Sequence, residues 1–256
     1  MNYRIFFFII FVILLAFFQL HITARAIILC GVKDVLLKTD IHAVPGGVLG
    51  NFIGFTPEVV EQELFDALKS IIPNKQSAQR STGFYSPLLC YWLTIPQSST
   101  YVKNLALSSI SKNYHLFKKR RLSIAADIAF TPEKVAQVLK PDKKLVDILR
   151  QLKFKGHFLV LCSNWNKESF QELVRVNSAV FSIFDKKYIS GDFGNLTVEK
   201  PFFQKIIADL NTNANQCFLI DWRQETIIPA RKAGVQIIEY SNPSLLYKQL
   251  NNLKLL

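Results

Sequence analysis

The sequence predicts an α/β fold, a doubly wound parallel sheet of Rossmann type interrupted by an all-helical insertion. Three observations carry that reading. Short, fully apolar runs recur along the second half of the chain, as strands of a parallel sheet covered on both faces do. Segments with apolar residues at helical spacing separate them through short links, so strand and helix alternate. Between about residues 41 and 139 the alternation stops and only helical signals remain.

Residues 26–32 form the first apolar run, ending in a turn before Val35-Leu36-Leu37. Pro45-Gly-Gly-Val-Leu-Gly50 is a glycine-rich link. Thr56-Pro57-Glu58 then sets an N-cap, a proline at the first helical position and an early acid. Val59, Val60, Leu64, Leu68, Ile71 and Ile72 follow at helical spacing until Pro73 stops the helix. Residues 84–95 are aromatic and apolar, 101–120 read as one helix, and Thr131-Pro132-Glu133 repeats the cap signal. A helix over 142–153 presents Leu145, Ile148, Leu149 and Leu152 on one face. Strands are then expected at 158–162, 180–184, 188–190, 217–220 and 235–239. Helices are expected at 167–176, 201–210 and 225–233.

The chain has 256 residues, half of them hydrophobic, enough for one large α/β core with a smaller lobe. Its formal charge is +12. Such a surface favours anionic partners: a phosphorylated or anionic small molecule, anionic lipid or nucleic acid. The lysines are mostly scattered; the tightest cluster is Lys118-Lys-Arg-Arg121, with no nucleic-acid-binding motif around it. The four cysteines, Cys30, Cys90, Cys162 and Cys217, match no zinc spacing, and three lie in expected strands, where cysteine serves as a small hydrophobe.

Residues 1–26 read as a leader. Arg4 precedes an unbroken apolar run over 5–18, and Ala24-Arg25-Ala26 matches a small-residue cleavage site. Fourteen helical residues reach about 21 Å, short of the roughly 30 Å hydrocarbon core. That favours a signal peptide and export, periplasmic or secreted. An uncleaved membrane anchor is the alternative, because a cut after Ala26 would begin the mature chain on a central strand. The expected division is thus 1–26 as signal peptide or anchor, 27–40 with 140–256 as the core, and 41–139 as the insertion.

Ligands of doubly wound sheets sit at the carboxyl ends of the strands, so the residues after each apolar run are the informative ones. Those are Gly31 to Asp34, Ser163-Asn164, Lys200-Pro201 and Asp221. A serine hydroxyl with a following backbone N–H can hold phosphate oxygens, and a lysine at a helix start adds charge where the helix already favours anions. A strand-tip carboxylate suits a hard cation.

Taken in order, these segments resemble the haloacid dehalogenase (HAD) superfamily of helical-cap type, over roughly residues 26–240. Leu161-Cys-Ser-Asn-Trp165 is similar to its second motif, Ser190-Gly-Asp-Phe-Gly194 with Val198-Glu-Lys-Pro201 to its third, and Phe218-Leu-Ile-Asp-Trp222 with Ala230-Arg-Lys-Ala-Gly234 to its fourth. The resemblance makes the helical insertion the family's cap. It also implies a Mg²⁺-dependent phosphatase or hydrolase that forms an aspartyl-phosphate.

The departures are chemical. Aligned on Val35-Leu36, Gly31 stands at the nucleophilic aspartate, Lys33 at the acid/base aspartate, and Asp34 at a glycine. In the fourth motif Asp221 remains as a residual acid, Trp222 replaces the second one, and Thr226 stands at the polar position that follows. Gly31 offers no nucleophile. Asp221 against Lys33 and Lys200 leaves the expected site net positive. Unit charges 4 Å apart at an effective dielectric near 20 interact by about 4 kcal/mol, so exchanging a carboxylate for Lys33 should exclude Mg²⁺. Ser163, Asn164, Lys200 and Lys33 remain as an anion-binding set. The expectation is therefore a degenerate HAD-like protein with no metal, holding an anion; alternatively Lys33 pairs with Asp221 and fills the site. Two other readings stand beside it. One is an active HAD hydrolase with an atypical nucleophile. The other is a membrane-tethered interaction protein with a vestigial site, in which Leu88, Leu89, Tyr91 and Trp92 form an apolar patch.

Overall fold

The computed structural model describes residues 25–40, 57–73, 84–96 and 98–256. The apolar run over 5–18 and the glycine-rich link at 45–50 lie outside the described residues. Among the described residues no helix is long and apolar enough to cross a membrane.

Five parallel strands build the main sheet: β1 (Ile27–Cys30), β4 (Phe158–Ser163), β5 (Lys186–Ile189), β6 (Cys217–Asp221) and β7 (Gln236–Glu239), in the order β5-β4-β1-β6-β7. β1 is central, with Cys30 level with Leu161 on one side and Ile220 on the other. Successive side chains point to opposite faces. Ile28 and Cys30 accordingly enter one buried cluster, while Leu29 enters another with Val160, Cys162 and Leu219. The first face is covered by α6 (Lys143–Phe154), α7 (Lys167–Val176) and α12 (Pro243–Asn252), the second by α10 (Lys200–Asp209) and α11 (Gln224–Lys232). Burial on both faces explains why these strands read as continuous apolar runs.

The helical insertion leaves and rejoins the core through a two-stranded antiparallel ribbon, β2 (Leu37–Thr39) and β3 (Leu139–Pro141). Asp40 N–H donates to Val138 O at 2.7 Å, so entry and exit lie side by side. Its helices are α1 (Pro57–Leu68), α2 (Pro87–Thr94), α3 (Ser99–Asn113), α4 (Leu116–Ala129) and α5 (Pro132–Val138). Leu64, Leu68, Leu88, Trp92, Val102, Ile110, Leu122 and Phe130 share one buried cluster, which Leu196 of the core joins. Ala136 and Val138 of α5 instead join the core cluster, so the insertion's separate packing ends near Phe130.

Several elements depart from the sequence reading. Residues 180–184 are not a strand: α8 (Ser178–Phe181) and a following turn bury Phe181 and Phe184 in the core. The strand beyond them is β5, ending in α9 (Ser190–Phe193) rather than running through Ser190. The single helix over 101–120 is two helices, broken at Tyr114 and His115. Leu88, Leu89 and Trp92 are buried, so the apolar patch proposed around α2 is packed inside the insertion and is not a membrane face.

Candidate functional site

Parallel register brings Gly31, Ser163, Ser190 and Asp221 to one end of the sheet. Beyond β1 the chain turns tightly: Leu37 N–H donates to Val32 O and Asp34 N–H to Leu37 O. Asp34 adopts φ +63°, a left-handed conformation that favours glycine and that a short polar side chain tolerates. This is the position at which the expected alignment puts a glycine.

Asp221 is 1% exposed. Its Oδ1 accepts the backbone N–H of Trp222 at 2.7 Å and of Arg223 at 3.0 Å. The Arg223 side chain reaches both carboxylate oxygens, Nε to Oδ1 and Nη2 to Oδ2, each at 3.4 Å. Burial opposes the guanidinium charge, but Asp221 outweighs it and holds Arg223 above its ordinary range. A Cβ added at Gly31 would lie 2.8 Å from Asp221 Oδ2. The carboxylate of Asp221 therefore abuts the space that a nucleophile on β1 would enter.

Lys33 does not pair with Asp221. Its Nζ donates to Glu61 Oε2 on α1 at 2.7 Å and to Asp34 Oδ2 at 3.2 Å. Burial pulls its pKa down, yet the two carboxylates outweigh it and the net shift is upward. The electrostatic tally is thus corrected. With Glu61 and Arg223 included, Lys33 and Arg223 stand against Asp34, Glu61 and Asp221, and the group is not net positive.

The other expected anion binders divide. Ser163 is buried at the tip of β4. The Asn164 side chain is used as a strut: Nδ2 donates to Tyr85 Oη at 3.2 Å and Oδ1 accepts Thr197 N–H at 2.7 Å, contacts that leave aside the backbone N–H expected to meet an anion. Thr197 Oγ1 lies 3.3 Å from Thr226 Oγ1, tying the third motif to the fourth. Lys200 opens α10 as an exposed residue and forms no ion pair with Asp221. Sequence reasoning missed Arg223, Glu61 and Tyr85. Arg223 alone carried a local signal, a cation two residues past a strand-tip acid.

Polar contacts clamp the insertion over this end of the sheet. Asn166, fully buried, caps α7 through Glu168 N–H, and its Nδ2 donates to Trp92 O, Ile95 O and Ser98 Oγ while Oδ1 accepts Ser99 Oγ. Ser190 Oγ donates to Leu93 O at 2.7 Å. A Cβ at Gly191 would meet Lys167 N and Trp165 O at 2.8 Å each, so only glycine lets the loop after β5 approach the loop after β4.

The thiols of Cys30 and Cys162, on adjacent strands β1 and β4, are buried. Burial pushes both Cys30 and Cys162 upward, with the Asp221 charge adding to it, and thiolates are the reactive species. All four cysteines are buried. The folded protein is expected to resist a thiol-specific colorimetric reagent at neutral pH and to release four reactive thiols in denaturant; rapid native labelling would contradict this packing.

The site's residues do not fit Mg²⁺. Gly31 and Lys33 supply no carboxylate, and Asp221 is already neutralised by a fixed guanidinium. Among the described residues no group of three His, Cys, Asp or Glu side chains could hold a metal ion.

A HAD family enzyme from Bacteroides thetaiotaomicron, a mutant in complex with magnesium and inorganic phosphate, matches this structure with a TM-score of 0.55 at 13% identity. The match covers 85% of this chain and 95% of that one. The chain has the HAD-like fold. No protein-family model matches it. Two curated proteins share sequence with this HAD-like chain. The sesquiterpene phosphatase astK of Aspergillus oryzae is 24% identical over 110 residues, 43% of this chain and 56% of that protein. The drimenol cyclase drtB of Aspergillus calidoustus is 26% identical over 143 residues, 55% of this chain. The matched segment spans only 27% of the cyclase's length and just over half of the phosphatase's.

Proposed function

We propose that this chain is a catalytically degenerate HAD-like domain, in which an internal Asp221–Arg223 pair replaces the metal-and-nucleophile centre. The observation that carries this is the 2.8 Å approach of Asp221 Oδ2 to the Cβ position of Gly31. Aspartyl-phosphate chemistry needs an oxygen nucleophile there, and the space is taken by a carboxylate held by two backbone N–H groups and one guanidinium. The atypical-nucleophile reading finds no support nearby. Cys30 is fully buried, with its thiol donating to Gly31 O. His157, the one buried histidine among the described residues, bonds Ala26 N–H and faces Leu255 O at the opposite end of the strands.

The test is phosphatase turnover of an aryl phosphate and of a sesquiterpenyl monophosphate, with and without Mg²⁺. No turnover is expected under either condition. Mg²⁺-dependent turnover that disappears in Asp221→Ala would overturn the proposal.

A second feature favours retained binding of a phosphorylated ligand. Arg223 engages Asp221 through Nε and Nη2, and buried Ser163 stands at the same end of the sheet, on β4, with β1 between them. The phosphatase relative supports a phosphate monoester as the class. Calorimetric titration with a sesquiterpenyl monophosphate should then show binding that is independent of Mg²⁺ and lost in Arg223→Ala. Binding that requires Mg²⁺, or none at all, would reject this part.

A further inference from the structure

The α3–α4 corner of the insertion carries two large apolar side chains in open solvent. Leu116 is 82% exposed and Phe117 is 84% exposed. Both stand at the start of α4, where the helical hairpin turns at Tyr114 and His115. Leu116 is also held at φ +45°, a left-handed conformation costly for a branched side chain. Nothing among the described residues covers these two groups, and the inward residues of the same helix, Leu122 and Ala126, are buried.

The charge around the corner is one-sided. Between Asp66 and Asp127 the sequence contains no acidic residue and nine Lys or Arg. Lys112 stands in the last turn of α3, Lys118, Lys119 and Arg120 directly follow Phe117 in the first turns of α4, and Lys118 Nζ lies 5.1 Å from the Tyr114 ring centroid. Arg121 is the cluster member turned inward, bonded to Glu63 of α1 at 2.6 Å. The basic cluster therefore flanks the exposed Leu-Phe pair along the chain on both sides.

We propose that this corner is a peripheral docking site for an anionic lipid bilayer, with Leu116 and Phe117 entering the headgroup boundary and Lys112, Lys118, Lys119 and Arg120 meeting lipid phosphates or carboxylates. The chemistry matches interfacial binding, where apolar insertion and attraction to anionic lipid act together. A branched aliphatic beside the phenyl ring favours hydrocarbon over a nucleic acid, since leucine offers no face on which a base can stack. The site is independent of the strand-end centre and of residues 5–18.

The test reads the corner itself, so that attachment through the N-terminal run does not confuse it. In the full chain, exposed Asn113 is changed to Cys and labelled with an environment-sensitive dye; the four native thiols are buried. Vesicles of phosphatidylcholine with phosphatidylserine should shift the dye to the blue and raise its emission. Phosphatidylcholine alone, or free inorganic phosphate, should not. Leu116→Ser with Phe117→Ser should abolish the shift without changing the melting temperature, because both side chains are already exposed. Each of Lys118→Gln and Lys119→Gln should weaken partitioning about five-fold. An unchanged shift in the double variant, equal response to uncharged vesicles, or a response only to single-stranded oligonucleotides would overturn the proposal.

Discussion

Arg223→Ala is expected to destabilise the folded chain by about 3–5 kcal/mol, the range for removing one partner of a buried ion pair. Asp221 is the reason. At 1% exposure its carboxylate has no access to water, and Arg223 is the cation that compensates it. The backbone N–H groups of Trp222 and Arg223 survive the substitution and keep the loss at the lower end of that range. Asp221→Asn combined with Arg223→Ala removes the buried charge altogether and should recover most of the loss. Urea melts of the single and double variants check this. A single-variant loss below about 1 kcal/mol would mean that Asp221 is solvated and the pair is not what fills the site.

The sheet was legible because each strand is a short apolar run between capped helices, and capping residues such as Asp142 and Asn166 stand where helices start. Residues 180–184 misled because a short, mostly apolar run suits a buried strand as well as a buried helical turn; the structure uses them in a helical turn and the turn after it, burying Phe181 and Phe184. The helix break at Tyr114 was invisible because no glycine or proline marks it; a leucine at positive φ makes the turn. At the site, local order in the chain pointed to Gly31, Lys33, Ser163 and Asp221, which stand at or just past strand ends. What it did not give is who pairs with whom. Glu61 lies 28 positions from Lys33, in a helix whose orientation over the sheet depends on packing around Leu64 and Leu68. A charge count over strand-end residues alone therefore came out positive, and tertiary partners reversed it.

Gly31→Asp would return the family's nucleophile to its place, and here it should unfold the protein rather than restore it. The new Cβ would lie 2.8 Å from Asp221 Oδ2 and 3.4 Å from both Asp221 Cγ and Val35 Cγ2. Asp221 is not the loose end of a flexible chain that can swing aside, because two backbone N–H groups and Arg223 hold it. Gly31→Ala isolates the steric part and should cost about 1–3 kcal/mol, the usual range for overpacking a filled interior. Gly31→Asp adds a second carboxylate next to the first, and like charges near 4 Å at an effective dielectric near 20 repel by about 4 kcal/mol. The difference between the Ala and Asp variants, measured in urea at pH 8, isolates that repulsion. A site that had merely lost its nucleophile would accept it back at little cost. If Gly31→Asp melts within about 0.5 kcal/mol of the parent at pH 8, Asp221 can move, the space above Gly31 is open, and the case for a rebuilt, non-catalytic centre fails.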